Sequence, residues 1–338
     1  MSRPPATDTF DMPSSPDRSP TSRTAGTPTD IDLMVRHRAF LAAATSDNTR
    51  RTYRSAIRHF YAWGGNLPCD EAAVVRYLLA YADTLNPRTL ALRLTALSQW
   101  HLHQGFTDPA STPTVRKTLA GIARIHGKPK RKARPLPVED VERIVTHLAG
   151  IDTLHARRDS ALLQIGFFGG FRRSELASLE VPHIAWERDG IVITLQRSKT
   201  DQEGAGIVKA IPYGDETLCP VRALRAWLDA AGIQSGALFR PINRWGVVGA
   251  GALNPASVNT LLKACAKAAG MHDVPELSGH SLRRGMATSA YRAGANLRNI
   301  KRQGGWRHDG TVQGYIEEAA QFEDNAALCL LRRTKAPV

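Results

Sequence analysis

Cysteine is scarce in this chain: four in 338 residues, Cys69, Cys219, Cys265 and Cys329, far apart and with no CxxC pair. That spacing excludes a disulfide scaffold and a cysteine-held zinc site, and fits free, buried or half-buried thiols in a reducing compartment. No run approaches the roughly 20 apolar residues of a membrane span. The N-terminus also lacks the basic-then-apolar order of a secretory signal. The expected location is therefore the cytoplasm, without a membrane partner. No carboxylate cluster is spaced for a metal ion, and no internal repeat is visible. Acidic residues are outnumbered, 31 Asp and Glu against 45 Lys and Arg, which leaves a formal charge of +14. Such a surplus suits a polyanion, because each basic group placed beside a phosphate releases a condensed counterion. DNA, RNA and an anionic surface all remain open on charge alone.

Composition divides the chain. Residues 1–31 are mostly Pro, Ser, Thr and Asp, too poor in apolar groups to offset their ordering entropy, and read as a disordered tail. Residues 32–126 read as helical. Asn48 is placed to cap a helix whose buried face runs through Tyr53, Ile57, Phe60, Tyr61 and Gly64, while Arg50, Arg54 and Arg58 recur every four residues as a basic stripe. Asp70 heads a second helix, Asn86-Pro87 a third ending at Gly105, and Thr112-Pro113 a fourth. The stretch 127–135, GKPKRKARP, has no apolar face and reads as an extended basic linker. Its Lys128, Lys130, Arg131 and Lys132 are candidate phosphate contacts. From 136 to 338 helical patterns recur at about 138–149, 157–168, 173–180, 220–231, 255–269, 281–293, 297–303 and 311–331. Two β-like runs, Gly190–Gln196 and Ile207–Pro212, flank the polar segment RSKTDQEGAG as a hairpin with a long tip. The expected fold is mainly α in two domains, the second carrying one small antiparallel sheet.

Four segments of the second domain gather residue types with chemical potential. In GGFRRSEL, Arg172 and Glu175 stand three apart at a helix start and can point the same way. Lys199 lies in the hairpin turn. In SGHSLR, His280 and Arg283 share a helix face, with the imidazole near the positive N-terminal end. Gly304-Gly305-Trp306 is followed nine residues later by Tyr315.

In their order and spacing, G-F-R-x-S-E-L, H-x-x-R and G-G-W-x8-Y resemble the tyrosine recombinase (phage integrase) family. Within it, R-S-K-T with a following A-G-x-x-K-A, S-G-H-S-x-R and a tryptophan at 306 are most similar to Cre-type recombinases. The resemblance runs from about residue 40 to 331. It implies that 32–126 is a core-binding domain and 136–338 a catalytic domain, and that the activity is site-specific DNA recombination without metal, ATP or other cofactor. It also places the register on Arg172 rather than Arg173, on Arg283 rather than Arg284, and on Tyr315 rather than Tyr213 or Tyr291.

Those residues suit phosphoryl transfer, which asks for charge neutralisation at nonbridging oxygens and proton movement at bridging ones. Tyr315 is the expected nucleophile. Arg172 and Arg283 offer planar guanidinium forks to phosphate oxygens, and His280 and the indole N–H of Trp306 add donors. Lys199, as the family's hairpin lysine, is implied as proton donor to the departing 5′ hydroxyl. Glu175 is expected to orient Arg172 or His280. The resemblance further implies double-stranded DNA with paired sites as partner, and a homotetramer linked by exchange of the last helix, whose apolar face is Ile316, Ala319, Phe322, Ala326, Leu328 and Leu331. Two other readings remain: a DNA-binding architectural protein that has lost catalysis, and a type IB topoisomerase that relaxes DNA without choosing sites.

Overall fold

The computed structural model describes residues 33–34, 36, 40, 44–129, 132–195, 206–322 and 325–332, excepting the side chains of residues 319, 329 and 332. The expected tail over 1–31, Lys130, Arg131 and Lys199 lie outside them. The chain forms two compact units, dividing between residues 130 and 131.

In the first unit, α1 (Asp47–Trp63), α2 (Glu71–Ala80), α3 (Pro87–His103) and α4 (Pro113–His126) enclose a core of Phe60, Val74, Tyr77, Leu78, Leu90, Leu94, Leu97, Val115 and Ile122. Asp70, Asn86 and Thr112 cap their helices as expected, each accepting a backbone N–H from the first turn. The cap of α1 is Ser46, not Asn48: its hydroxyl accepts from Thr49 N at 3.2 Å, so Asn48 already lies inside the helix. The buried side is correspondingly narrower. Ala56 and Phe60, four apart, face the core, whereas Tyr61 is rotated by one position to the outside. Phe60 and Trp63 each meet Tyr77 edge to face at 5.1 and 5.3 Å.

The second unit is mainly helical around one three-stranded antiparallel sheet: α5 (Val138–Ala149), α6 (Leu154–Phe168), α7 (Arg173–Ala177), β1 (Ile184–Glu187), β2 (Gly190–Leu195), β3 (Ile207–Pro212), α8 (Pro220–Ala231), α9 (Ser257–Ala268), α10 (Gly279–Arg292), α11 (Leu297–Gly304), α12 (Asp309–Ala320) and α13 (Ala326–Arg332). The hairpin expected from sequence is β2–β3, paired from Gly190↔Pro212 to Leu195↔Ile207. Strand β1 was not expected. It is joined to β2 by the two-residue turn Arg188-Asp189, with Glu187 opposite Gly190. Helix α6 is buried on nearly every side, and its interior ions are paired, Arg158 Nε to Asp159 Oδ1 at 2.8 Å. The single C-terminal helix expected over 311–331 is two, because Asn325 starts a new one by accepting from Ala327 N at 2.9 Å.

One close approach fixes the start of this unit. Residues 134–138 run along α10, with Arg134 N donating to Glu276 O, Leu136 N to Ser281 O at 3.1 Å and Val138 N to Ser289 Oγ at 3.1 Å. A Cβ on Gly285 would lie 1.8 Å from the Leu136 carbonyl oxygen, so only glycine admits the segment there. Among the described residues no helix is long and apolar enough to cross a membrane.

Candidate active site

The site begins at two glycine turns that touch. Gly169 ends α6, and Gly170 has φ +54°; a Cβ there would meet Met286 Cε at 2.5 Å and Gly304 Cα at 3.3 Å. On the other side, Gly304 ends α11 beneath the indole of Trp306, where a Cβ would fall 1.7 Å from the ring, and Gly305 supplies the left-handed cap at φ +66°. The glycine pairs let two helix ends meet backbone to backbone, with Arg172 following one and Trp306 the other.

After Gly170, Phe171 anchors in the core and Arg172 takes the N-cap of α7. Glu175, three residues on and 5% exposed, accepts the Arg172 backbone N–H at 2.9 Å and its Nη1 at 2.5 Å. One carboxylate thus fixes both the helix start and the guanidinium. Across from it, Ser278 caps α10, its hydroxyl accepting from His280 N at 3.2 Å and its own N–H going to Ser281 Oγ at 3.0 Å. Gly279 packs on Arg173, a Cβ there coming within 3.1 Å of the Arg173 Cβ, and this sets exposed His280 beside the Arg172 segment.

One turn further, Arg283 is 3% exposed. Its Nη1 donates to Gly170 O, its guanidinium lies 4.1 Å from the Trp306 ring centroid, and its Nη2 is buried without a hydrogen-bond partner. Burial, and then the nearby Arg172, pull the Arg283 guanidinium down to about 10, opposed by Glu175 and Tyr315. It remains a cation at neutral pH. Half-buried Tyr315, on α12, meets Trp306 edge to face at 6.0 Å, while Arg284 lies 5.2 Å from the centroid of the tyrosine ring. Neighbouring arginines therefore part company. Arg284 donates to Ala133 O and, at 2.5 Å, to Glu318 Oε2, whereas Arg283 turns toward Gly170 and Trp306.

The structure thus brings Arg172, Glu175, Arg283, Trp306 and Tyr315 into one contiguous set, with His280 at its edge; Lys199 falls outside the described residues. Sequence reasoning passed over Lys209 except as a letter in A-G-x-x-K-A. It is 1% exposed on β3, its Nζ donating to Gly169 O and Gln303 O, each at 2.6 Å, and lying 4.8 Å from the Phe171 ring centroid. Burial first and Arg283 second push its ammonium down to about 7, against the pull of Glu175. The available signal was alternation: Ile207, Lys209 and Ile211 share the inward face of a strand.

Of the candidate DNA contacts, Arg54 and Arg58 are exposed on α1, and Arg50 is paired with Asp47 on the same helix. The Lys128 carbonyl accepts from Arg88 Nη1 at 3.0 Å, and Lys132 Nζ donates to Glu318 Oε2 at 3.2 Å.

Comparison with known proteins gives a consistent result. Residues 134–321 match the Phage integrase family. The chain is 34% identical over 303 residues to the integrase/recombinase XerD homolog of Selenomonas ruminantium, covering 87% of this chain and 88% of that protein. It is 28% identical over 291 residues to tyrosine recombinase XerC of Corynebacterium efficiens, covering 83% and 84%. In fold it is similar to a lambda integrase dimer bound to a COC′ core site, with TM-score 0.60 and 18% identity over 88% of this chain and 80% of that one. It is also similar to XerH site-specific recombinase bound to a palindromic difH substrate, with TM-score 0.56 and 19% identity over 81% and 80%.

Proposed function

The chain belongs to the phage integrase family, and from that premise we propose a residue-level account of its chemistry. It is a tyrosine recombinase, cleaving and rejoining DNA at specific sites. Tyr315 Oη attacks a backbone phosphorus, the new phosphorus–oxygen bond forms, and the bond to the 5′ oxygen breaks. The tyrosine proton is released, and Lys199 supplies one to the departing 5′ hydroxyl. The DNA is left joined to Tyr315 through its 3′ phosphate. Because the ester keeps the bond energy, a second 5′ hydroxyl reverses the step on a new strand.

The observation that carries this assignment is Arg283: a buried cation stacked on Trp306, with Nη2 lacking a partner and Arg172 close enough to repel it. A buried unpaired donor on a cation is costly in isolation. A phosphate held by both guanidinium forks would satisfy that donor and offset the repulsion. Glu175 keeps Arg172 aimed, and His280 adds a donor from the first turn of α10.

For assembly, Leu330 and Leu331 of α13 are 68% and 67% exposed, and Phe322, in the segment before that helix, is 77% exposed. This face docks on a neighbouring subunit of a homotetramer spanning two DNA sites. R-S-K-T, S-G-H-S-x-R and Trp306 support a likeness to the Cre-type branch of the family. The partner is double-stranded DNA, engaged by the exposed Arg54 and Arg58 of α1 and by the basic segment 127–135.

The test is covalent trapping. Protein incubated with DNA from around its own gene and then denatured should carry DNA through Tyr315, and Tyr315→Phe should bind the same DNA with no adduct. An adduct persisting in Tyr315→Phe reassigns the nucleophile. Catalytic relaxation of any supercoiled plasmid would favour the topoisomerase reading.

A further inference from the structure

We infer that Lys209 is a positioning residue for strand cleavage, its ammonium holding the turn that presents Arg172 and Arg283 against the segment that presents Trp306 and Tyr315. The inference rests on the site assignment above and adds a residue which touches none of the reacting atoms. Lys209 Nζ donates at 2.6 Å to Gly169 O and at 2.6 Å to Gln303 O. Each carbonyl belongs to a helix C-terminus: Gly169 caps α6, and Gln303 lies in the last turn of α11. Helix ends leave carbonyls without intrahelical donors and carry partial negative charge. A cation placed where two such ends converge answers both needs at once. That accounts for a lysine tolerated at 1% exposure beside Arg172 and Arg283, whose charges oppose it.

The carbonyl next to Gly169, that of Gly170, accepts from Arg283 Nη1, and the residue after Gln303, Gly304, underlies Trp306. A displacement of either helix end therefore reaches a functional side chain through one peptide. Gln303 reinforces the join, its Nε2 donating to Phe168 O at 2.8 Å and Ala210 O at 3.1 Å. A purely space-filling role would suit an aliphatic side chain, as at Ile207 and Ile211 on the same face of β3. An ammonium instead adds a fixed bond to each wall of the site.

The test uses the full chain with Lys209→Met, which preserves length and apolar stem but removes every donor, and Lys209→Gln, which keeps two. On the DNA fragment recovered from the wild-type adduct, Lys209→Met should bind with unchanged Kd but form the adduct about 10²-fold more slowly, the scale of an ångström-sized misplacement. Lys209→Gln should recover part of the rate. The defect should persist on a substrate whose 5′-bridging oxygen is sulfur, since sulfur departs without a proton donor; rescue there would make Lys209 an acid and overturn the positioning role. Amide hydrogen exchange of the free protein decides independently of activity. Residues 169–172 and 303–307 should exchange faster in Lys209→Met while α5 and α8 stay protected. Wild-type exchange in both segments, or an unchanged cleavage rate, sinks the inference. Should Lys209→Met not fold, the same two readings on Lys209→Gln decide. Absence of any wild-type adduct would count against the Tyr315 assignment alone, because the exchange result still judges Lys209.

Discussion

Arg283 and Arg284 are adjacent, both nearly inaccessible, and make different contacts. At 3% and 4% exposure, burial does not separate them; direction does, since one helix step rotates Arg284 toward Ala133 and Glu318. Arg283 is held by Gly170 O on one side and the Trp306 face on the other. Arg283→Lys should keep the charge but lose the fork and the stacking. Cleavage is expected to slow by about 10²–10³-fold, the range seen when one transition-state donor is removed, with DNA affinity little changed. A rate within threefold of wild type would show that charge alone suffices. At this scale the sequence was informative where the contacts are local. Arg172 and Glu175 are three apart on one helix start, so the sequence could put them on one side, and the structure pairs them. Lys209 could not, because its partners, Gly169 and Gln303, come from distant parts of the chain.

Among elements, the glycine turns explain why G-G-F-R and G-G-W are spelled with paired glycines. Gly170 and Gly304 pack on each other, and Trp306 folds back over Gly304. Gly304→Ala would set a methyl 1.7 Å from the indole, so Trp306 must move and Arg283 loses its stacking surface. Thermal unfolding should show a loss of about 1–3 kcal/mol, typical of overpacking. Covalent trapping should show a larger proportional loss of cleavage than of DNA binding. Most helix starts were legible from caps such as Asp70, Asn86 and Thr112, where one side chain supplies the missing acceptor. Two features were not. Strand β1 is four residues long and mostly exposed, so it shows little alternation, although Asp189-Gly190 is a hairpin signal. The break at Asn325 was hidden because apolar spacing continues from α12 into α13 across it, and only the cap reveals the new start.

For the whole molecule, the charge of +14 and the exposed apolar end address different partners. On the proposed function the basic surplus serves DNA, and the exposed Phe322, Leu330 and Leu331 serve another subunit. Truncation before Phe322 should leave occupancy of a single DNA site intact and abolish the tetramer, as read by native electrophoresis or light scattering of the protein–DNA complex. Unaltered tetramer on DNA would move the interface elsewhere. The chain divides between residues 130 and 131, inside the basic, non-apolar stretch 127–135, and residues 134–138, which look like linker in sequence, run along α10 of the second unit.

The seating of residues 134–138 on α10 governs where the chain can be cut. The backbone of residues 134–138 lies in the notch left open by Gly285, supplying N–H groups to Glu276, Ser281 and Ser289. A catalytic fragment begun at residue 132 keeps this strap and should be an autonomous folding module. One begun at Val138, at the visible start of the first helix, would bare the notch and take the Leu136 donor from Ser281 on the helix that carries His280 and Arg283.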